Sequence, residues 1–395
     1  MERIVVVGAA LAGTRAVQSL HAEGFTGEVV VVGAEDHLPY DRPPLSKKLL
    51  TGDLAPEAIA LRHELDDTTT WLLGRRAVGL DPVARRLRLA DGESLAYDGL
   101  VVATGSAARR LPTVPHVPGT FLLRTLDDAL ALRSELVPGA RVAVVGTGFI
   151  GTEIASTCRD LGLEVTLLGA LPVLHRPMGP LSPAAAERAR AYGVQVVEGV
   201  TVAGLDVDGC VTGVRLDDGT TVPADVVVVA VGAAPVTDWL AGSGAVLEDG
   251  VVCDETLAVL GVDDVVAAGD VARWPHPALG GDLLRVEHWT NAAEQGAAAA
   301  RRLLHGPGVA AFGPVPSFWT DQFATRIQGV GFPTLGPDVT VVDGDPAGRR
   351  FVAEYRRAGR LVGAVVAGSP RALLPYRAEL QHLAQAPLLP TAGAA

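Results

Sequence analysis

Cysteine is scarce in this chain. Cys158, Cys210 and Cys253 are its three cysteines, widely spaced and without a C-x-x-C. That excludes a dithiol redox motif and any cysteine-built zinc site or iron–sulfur cluster, so no metal is expected. Lysine is scarcer still. Of 33 basic residues only Lys47 and Lys48 are lysine, which makes the adjacent pair worth examining. Positive charge as a whole is in deficit, with a formal net charge of −12. This argues against general nucleic-acid binding, because displacing phosphate counterions takes a basic footprint. Long apolar runs are missing as well. The best candidate, residues 226–236, is broken by Gly232 and Pro235 and falls short of the ~20 residues that span a bilayer. The opening Met1-Glu2-Arg3-Ile4-Val5-Val6-Val7-Gly8 enters a strand pattern at once, so no secretory leader and no membrane partner are expected.

What is present points to a globular, cytoplasmic, multidomain protein. Hydrophobic residues make up 48% and charged residues 20% of 395; a disordered chain lacks that apolar surface, and the length implies two or three cores. Short Val/Ile/Leu runs at 4–7, 29–32, 100–103, 142–145, 165–168 and 226–231 alternate with Ala-rich helical stretches. The runs are continuous rather than alternating, which suits parallel strands covered on both faces. After Pro314 the texture changes to short Val/Thr/Tyr strands, with turns expected at Asp343-Gly344 and Ala358-Gly359, the pattern of a small antiparallel domain.

Two segments, 4–33 and 142–169, share one plan of strand, glycine-rich turn, helix and second strand. The first turn reads Gly8-Ala9-Ala10-Leu11-Ala12-Gly13, the second Gly146-Thr147-Gly148-Phe149-Ile150-Gly151. Small residues are needed there because the turn is tight and its backbone must approach a pyrophosphate at a helix N-terminus. One unit is expected to hold a flavin dinucleotide and the other a nicotinamide dinucleotide. Each should place an acid ~20 residues on, for a ribose hydroxyl. Glu35 answers in the first unit. The second has Gly169 where an acid would stand, with His175 and Arg176 beyond it. Selection against a 2′-phosphate is therefore weak, and NADPH is expected within ~10-fold of NADH in kcat/KM.

Further strings follow in order: Leu38-Pro39-Tyr40-Asp41-Arg42-Pro43-Pro44-Leu45-Ser46-Lys47, Ala103-Thr104-Gly105, Arg124-Thr125-Leu126-Asp127-Asp128-Ala129, Ala268-Gly269-Asp270, Glu287-His288-Trp289-Thr290-Asn291-Ala292 and Phe318-Trp319-Thr320-Asp321-Gln322. Across essentially the whole chain they resemble the FAD-dependent ferredoxin reductases that serve bacterial cytochromes P450 and Rieske-type dioxygenases. The resemblance implies a glutathione-reductase-like α/β fold, with two Rossmann-type dinucleotide-binding domains and a C-terminal α+β interface domain. Residues 1–107 and 236–311 would form the FAD domain, 108–235 the NAD(P) domain and 312–395 the interface domain.

The same resemblance assigns residues. Gly8, Ala12 and Gly13 would meet the FAD pyrophosphate and Glu35 the adenosine ribose. Arg42, Pro44 and Lys47 would approach the flavin and its phosphates. Val78, Ala103, Thr104, Gly105 and Arg124 would lie along the cofactor. Gly269 and Asp270 would bind the ribityl chain, and Trp289 would cover one edge of the ring. Gly146, Gly148, Phe149, Ile150, Gly151 and Glu153 would build the NADH or NADPH site, with Gly169 and Gly232 at its strand ends. Lys47 and Glu153 would meet at the flavin–nicotinamide junction as the catalytic pair, where an ammonium–carboxylate pair favours reduced flavin. No nucleophile is needed, so eight of the nine histidines carry no role and only His288 is a candidate flavin neighbour.

The implied partner is a small iron–sulfur ferredoxin, and the implied state a monomer or weak homodimer. Residues 314–395 carry eight arginines against six acids, a net +2, which leaves −14 on the rest; a locally basic face suits an acidic partner. The competing readings are an NAD(P)H oxidase, or a quinone or nitro reductase acting directly on a small acceptor. A flavoprotein signalling through a long-lived reduced complex is a third. Cysteine-dependent peroxide reduction is disfavoured, since the region around Ser46 has no cysteine.

Overall fold

The computed structural model describes residues 1–61 and 68–383. In chain order its main elements begin with β1 (Arg3–Val7), α1 (Leu11–Ala22), β2 (Glu28–Val32), β3 (Thr69–Leu72) and β4 (Gly99–Val102). Then come β5 (Thr120–Leu122), α2 (Leu126–Glu135), β6 (Arg141–Val145), α3 (Phe149–Asp160), β7 (Glu164–Gly169), β8 (Gln195–Glu198) and β9 (Val226–Val229). The chain continues through β10 (Val265–Ala267) and α4 (Trp289–His305). It finishes with β11 (Ser317–Gln322), β12 (Thr325–Gly331), β13 (Asp338–Gly344), β14 (Phe351–Arg357), β15 (Arg360–Ala367) and α5 (Leu373–Leu383).

Two five-stranded parallel sheets follow, in the orders β10-β4-β1-β2-β3 and β8-β7-β6-β9-β5. Their central strands are buried on both faces: Ile4, Val5 and Val6 are fully covered, as are Ala143 and Val144. β-Branched residues fit a pleated interior and lose rotamer freedom in helices, which is why these runs are strands. In each sheet the chain runs from the central strand to one neighbour, then later to the other side. A crevice opens at that reversal, beside the C-terminal ends of β1 and β4 in one sheet and of β6 and β9 in the other.

Gly8 shows how tightly the first crevice is built. Its φ is +126°, and an added Cβ would stand 2.1 Å from the Ala103 carbonyl oxygen. Gly146 repeats the arrangement with φ +123° and the Ala230 oxygen at 2.1 Å. No L side chain fits either position. The two units are the same solution written twice.

The chain leaves the first sheet and returns to it side by side, through a two-stranded antiparallel ribbon pairing Ser106–Ala108 with Ala233–Pro235. The last five strands form an antiparallel sheet in the order β11-β12-β15-β14-β13, with α5 against it. Ala358 and Gly359, both at positive φ, close the two-residue turn between β14 and β15, the geometry that matches strand twist. Asp343-Gly344 is not a turn. Both residues pair within β13, and the chain reverses beyond them, over 345–350. The turn between β11 and β12 consists of Phe323 and Ala324, also at positive φ, with no glycine or asparagine to mark it. Among the described residues no helix is long and apolar enough to cross a membrane.

Candidate active site

The first crevice opens onto a cavity of about 230 Å³ that the start of α3, at the second crevice, also borders. Its floor is the start of α1 (Ala10, Leu11, Ala12) and the strand ends Ala103, Gly105 and Ala268–Asp270. The segment from Tyr40 to Lys47 forms one wall, and Phe149, Ile150 and Glu153 from the first turns of α3 form another. Phe318 and Trp319 reach in from β11, and His288, Trp289 and Ala292 from the start of α4. All three sheets contribute.

Lys47 and Glu153, 106 residues apart, are joined here. Lys47 Nζ lies 2.5 Å from Glu153 Oε2 and also donates to the Pro43 carbonyl at 3.0 Å. The same Oε2 accepts from the Ser46 hydroxyl at 2.5 Å, while Oε1 accepts from the Thr320 hydroxyl at 2.7 Å. Glu153 is only 4% exposed. A carboxylate taken that far from water persists only if its lone pairs are filled, and three donors fill them, Ser46 and Lys47 from the segment between β2 and β3 and Thr320 from β11.

A second polar chain lines the opposite wall. Asp270 Oδ2 accepts from Arg124 Nη2 and from the Ser106 hydroxyl, each at 2.8 Å. Arg124 is aimed by the element behind it: Thr125 and Asp128 form a capping box at the start of α2, a device that fixes how the chain enters a helix. Arg42 donates to the Arg124 carbonyl at 2.6 Å and pairs with Glu35 at 2.6 Å, while Tyr40 donates to Glu35 at 2.5 Å. Burial works to lower the Arg42 pKa, but Tyr40 and the Glu35 carboxylate outweigh it and raise it. Burial raises the Tyr40 hydroxyl, so it remains a donor. His288 is pushed down to about 4 by burial, with Asp270 pulling weakly the other way. It is a neutral ring at pH 7, and its Nδ1 is buried with no hydrogen-bond partner among the described residues.

Of the residues expected at the site, Ala12, Arg42, Lys47, Ala103, Gly105, Arg124, Phe149, Ile150, Glu153, Gly269, Asp270 and Trp289 line the cavity. Gly8, Gly146 and Gly148 lie in the two strand-to-helix turns and Gly13 and Gly151 in the first turns of α1 and α3, none of them lining the cavity itself. Pro44 adjoins Pro43, which lines it. Glu35 stands behind the wall, holding Tyr40 and Arg42 in place. Thr104 turns its hydroxyl to the Val236 carbonyl at 2.8 Å. Gly169 closes β7, and Gly232 sits beside the ribbon, its carbonyl accepting from Arg109 N–H at 2.9 Å. Val78 is not brought in: it is 45% exposed on a three-stranded antiparallel sheet away from the cavity walls.

Ser46 and Thr320, the hydroxyls on Glu153, were missed as site residues. A signal existed for Thr320. Burial alternates along β11 so that Phe318, Thr320 and Gln322 face inward, and a polar residue in the buried phase of a strand calls for a partner.

The residues present fit a flavin dinucleotide beside a nicotinamide dinucleotide. The tight carbonyl contacts of Gly8 and Gly146 hold the turns open toward a ligand. Gly148, by contrast, has nothing within 4 Å of where its Cβ would be, which leaves room for a pyrophosphate. The orphaned His288 Nδ1 borders the cavity.

Comparison with known proteins agrees with this geometry. Residues 2–296 match the family described as pyridine nucleotide-disulphide oxidoreductase, and residues 317–388 the family described as reductase C-terminal. A ferredoxin–NAD(P)(+) reductase of a Sphingomonas species is 38% identical over 368 residues, 91% of this chain and 88% of its own. The ferredoxin–NAD(+) reductase component of the biphenyl dioxygenase system of Paraburkholderia xenovorans is 35% identical, covering 98% of this chain and 99% of its own. The crystal structure of the covalent putidaredoxin reductase–putidaredoxin complex includes a chain that superposes with a TM-score of 0.90 at 30% identity, covering 97% of this chain and 93% of that one.

Proposed function

The chain belongs to the pyridine nucleotide-disulphide oxidoreductase family, and on that footing we propose that it carries electrons from NAD(P)H, through non-covalently bound FAD, to a small iron–sulfur ferredoxin that serves an oxygenase. The observation that carries this is a cavity lined at once by the first dinucleotide crevice, by Phe149, Ile150 and Glu153 at the start of α3 in the second unit, and by Phe318 and Trp319 of the third sheet. A bound flavin accepts electrons from a nicotinamide as a pair and releases them singly, which is what coupling to a one-electron carrier requires.

The protein's own part is binding, orientation and exclusion of water. Ala10, Ala12 and Gly269 are small where the cofactor must approach closely. Arg124 and Asp270 present a fixed cation and anion along the cofactor's length. Lys47 and Glu153 hold a charge pair at the junction of the two crevices, from which Phe149, Phe318 and Trp319 displace water. Trp289 is locked by its indole N–H, which donates to Asp41 Oδ1 at 2.9 Å, and meets Trp319 edge-on at 6.1 Å. Chain division at 107, 235 and 311 accompanies the same reading.

The test is direct. Purified protein should be yellow with about one FAD per chain, and NAD(P)H-driven cytochrome c reduction should require an added ferredoxin. Equal rates without ferredoxin would instead support direct reduction of a small acceptor. A folded protein that neither carries nor takes up FAD would overturn the proposal.

A further inference from the structure

Resting on the reading that the second unit binds a nicotinamide dinucleotide, we propose that its ribose end is built for a 2′-phosphorylated coenzyme, with Arg176 as the cation and His175 as a neighbouring donor.

The strand after a dinucleotide-binding helix ends beside the adenosine ribose, where a carboxylate would accept from the hydroxyls and repel a phosphate. Here that position is Gly169, and its side-chain space is already taken. An added Cβ would stand 2.7 Å from Thr147 Cγ2 and 3.1 Å from Thr147 Oγ1. Thr147 belongs to the glycine-rich turn itself, so an acid at 169 would have to displace the Thr147 side chain.

Thr147 also folds the following loop back over that turn. Its hydroxyl donates to the Leu171 carbonyl at 3.0 Å, and its own carbonyl accepts from Leu174 N–H at 2.9 Å. Leu174 takes a left-handed φ of +53°, a strained choice for leucine, and is held there with its side chain 1% exposed. The reversal delivers His175 and Arg176 at the start of a single helical turn, His175–Met178. Both are exposed, immediately beyond a backbone contact with the glycine-rich turn. Among the described residues neither side chain has a hydrogen bond or ion pair.

Glu198 is the register partner of Gly169 on β8. It is already engaged: Oε1 accepts from Val173 N–H at 2.8 Å, and Oε2 lies 3.3 Å from Arg190. Glu198 therefore buttresses the loop instead of receiving a ribose hydroxyl. The corner presents unpaired positive charge where the selecting acid would be, and guanidinium–phosphate bonds are among the stronger charge-assisted contacts.

The experiment uses the full-length, flavin-loaded protein and two fragments that differ by the 2′-phosphate alone, 2′,5′-ADP and 5′-AMP. Calorimetric titration should find 2′,5′-ADP bound about tenfold tighter or more, an advantage that shrinks as salt is raised. Arg176→Gln should bring the ratio of the two affinities close to one, with the melting temperature unchanged because the side chain is exposed. If 5′-AMP binds at least as well as 2′,5′-ADP, the phosphate subsite is overturned while the nucleotide-binding reading stands. If Arg176→Gln leaves the ratio untouched, the assignment to Arg176 falls. Binding of neither fragment overturns the nucleotide-binding reading, and this inference with it.

Discussion

Thr320 and Glu153 lie 167 positions apart and are joined by a hydrogen bond of 2.7 Å, in which the Thr320 hydroxyl donates to Glu153 Oε1. The third sheet thus holds one oxygen of a carboxylate whose other oxygen is held by Lys47 and Ser46. Thr320 is itself seated by Gln322, which donates to its hydroxyl at 3.2 Å. Removing the hydroxyl leaves a buried charged acceptor one donor short, a loss of ~1–3 kcal/mol. Thr320→Val is therefore expected to slow anaerobic flavin reduction by NAD(P)H by an order of magnitude in stopped-flow traces, and Thr320→Ser to stay near native. Indistinguishable traces for the valine variant would reduce the contact to scaffolding.

Lys47 and Glu153 should behave as a unit. Each alanine substitution is expected to slow flavin reduction, and the double substitution to cost less than the two combined, because paired groups are not independent. Stability should show the asymmetry more sharply. Lys47→Ala strands a carboxylate that is 4% exposed, an outcome worth ~3–5 kcal/mol. The double variant, with no charge to strand, should melt above the Lys47 single. Strict additivity in both rate and melting temperature would leave the pair without support.

How much of this was readable beforehand differs from one residue to the next. The glycine turns and the parallel strands are legible because each depends on local chemistry or on a motif with a mechanism, whereas Lys47, Glu153, Asp270 and Trp289 were placed by the family resemblance. The Phe323–Ala324 turn is not. Its positive φ values are imposed by tertiary packing: Phe323 is 2% exposed, its N–H donates to the Ser156 hydroxyl at 2.7 Å, and its ring lies 5.5 Å from that of Tyr192. Asp343-Gly344 misled for the converse reason, since a turn-like dipeptide was absorbed into a strand with an irregular register. Thr320 and Ser46 escaped because their role exists only once the three parts of the chain have assembled around Glu153.

Gly148 and Gly8 predict opposite outcomes for the same substitution. Gly8→Ala collides with the Ala103 carbonyl and should yield protein with little flavin and a lowered melting temperature. Gly148→Ala meets no atom within 4 Å and should keep both its melting temperature and its flavin content. Its methyl would instead stand where a pyrophosphate must come close, raising KM for NAD(P)H roughly tenfold or more. An unchanged KM would mean that the coenzyme does not lie against this turn.

His288 sets an acid limit. Its folded pKa, about 4, lies below the ordinary 6.5, so between those values the unfolded chain binds a proton that the folded one does not. Stability from keeping the ring neutral is complete above about pH 6.5 and is lost as pH falls toward 4. The full span corresponds to at most about 3 kcal/mol. Melting temperatures measured from pH 7 to pH 4 should fall less steeply for His288→Asn than for the native protein. Parallel curves would show that the ring is not what limits acid stability.

The ribbon between Ser106–Ala108 and Ala233–Pro235 has a consequence for how such a protein can change. Because both crossings of the chain are hydrogen-bonded neighbours, the backbone enters and leaves this segment at one place, and the rest of the molecule closes over the gap with little extra loop entropy. The reductant-binding half is in effect a cartridge. It can be exchanged at Ala108 and Ala233 for that of a relative provided that the replacement keeps an arginine for Asp270 and a carboxylate for Lys47 and Thr320. Changing the electron source then leaves the backbone of the other two sheets in place, while side-chain contacts across the join, Thr157 to Ser46 and Phe323 to Ser156 among them, have to be kept.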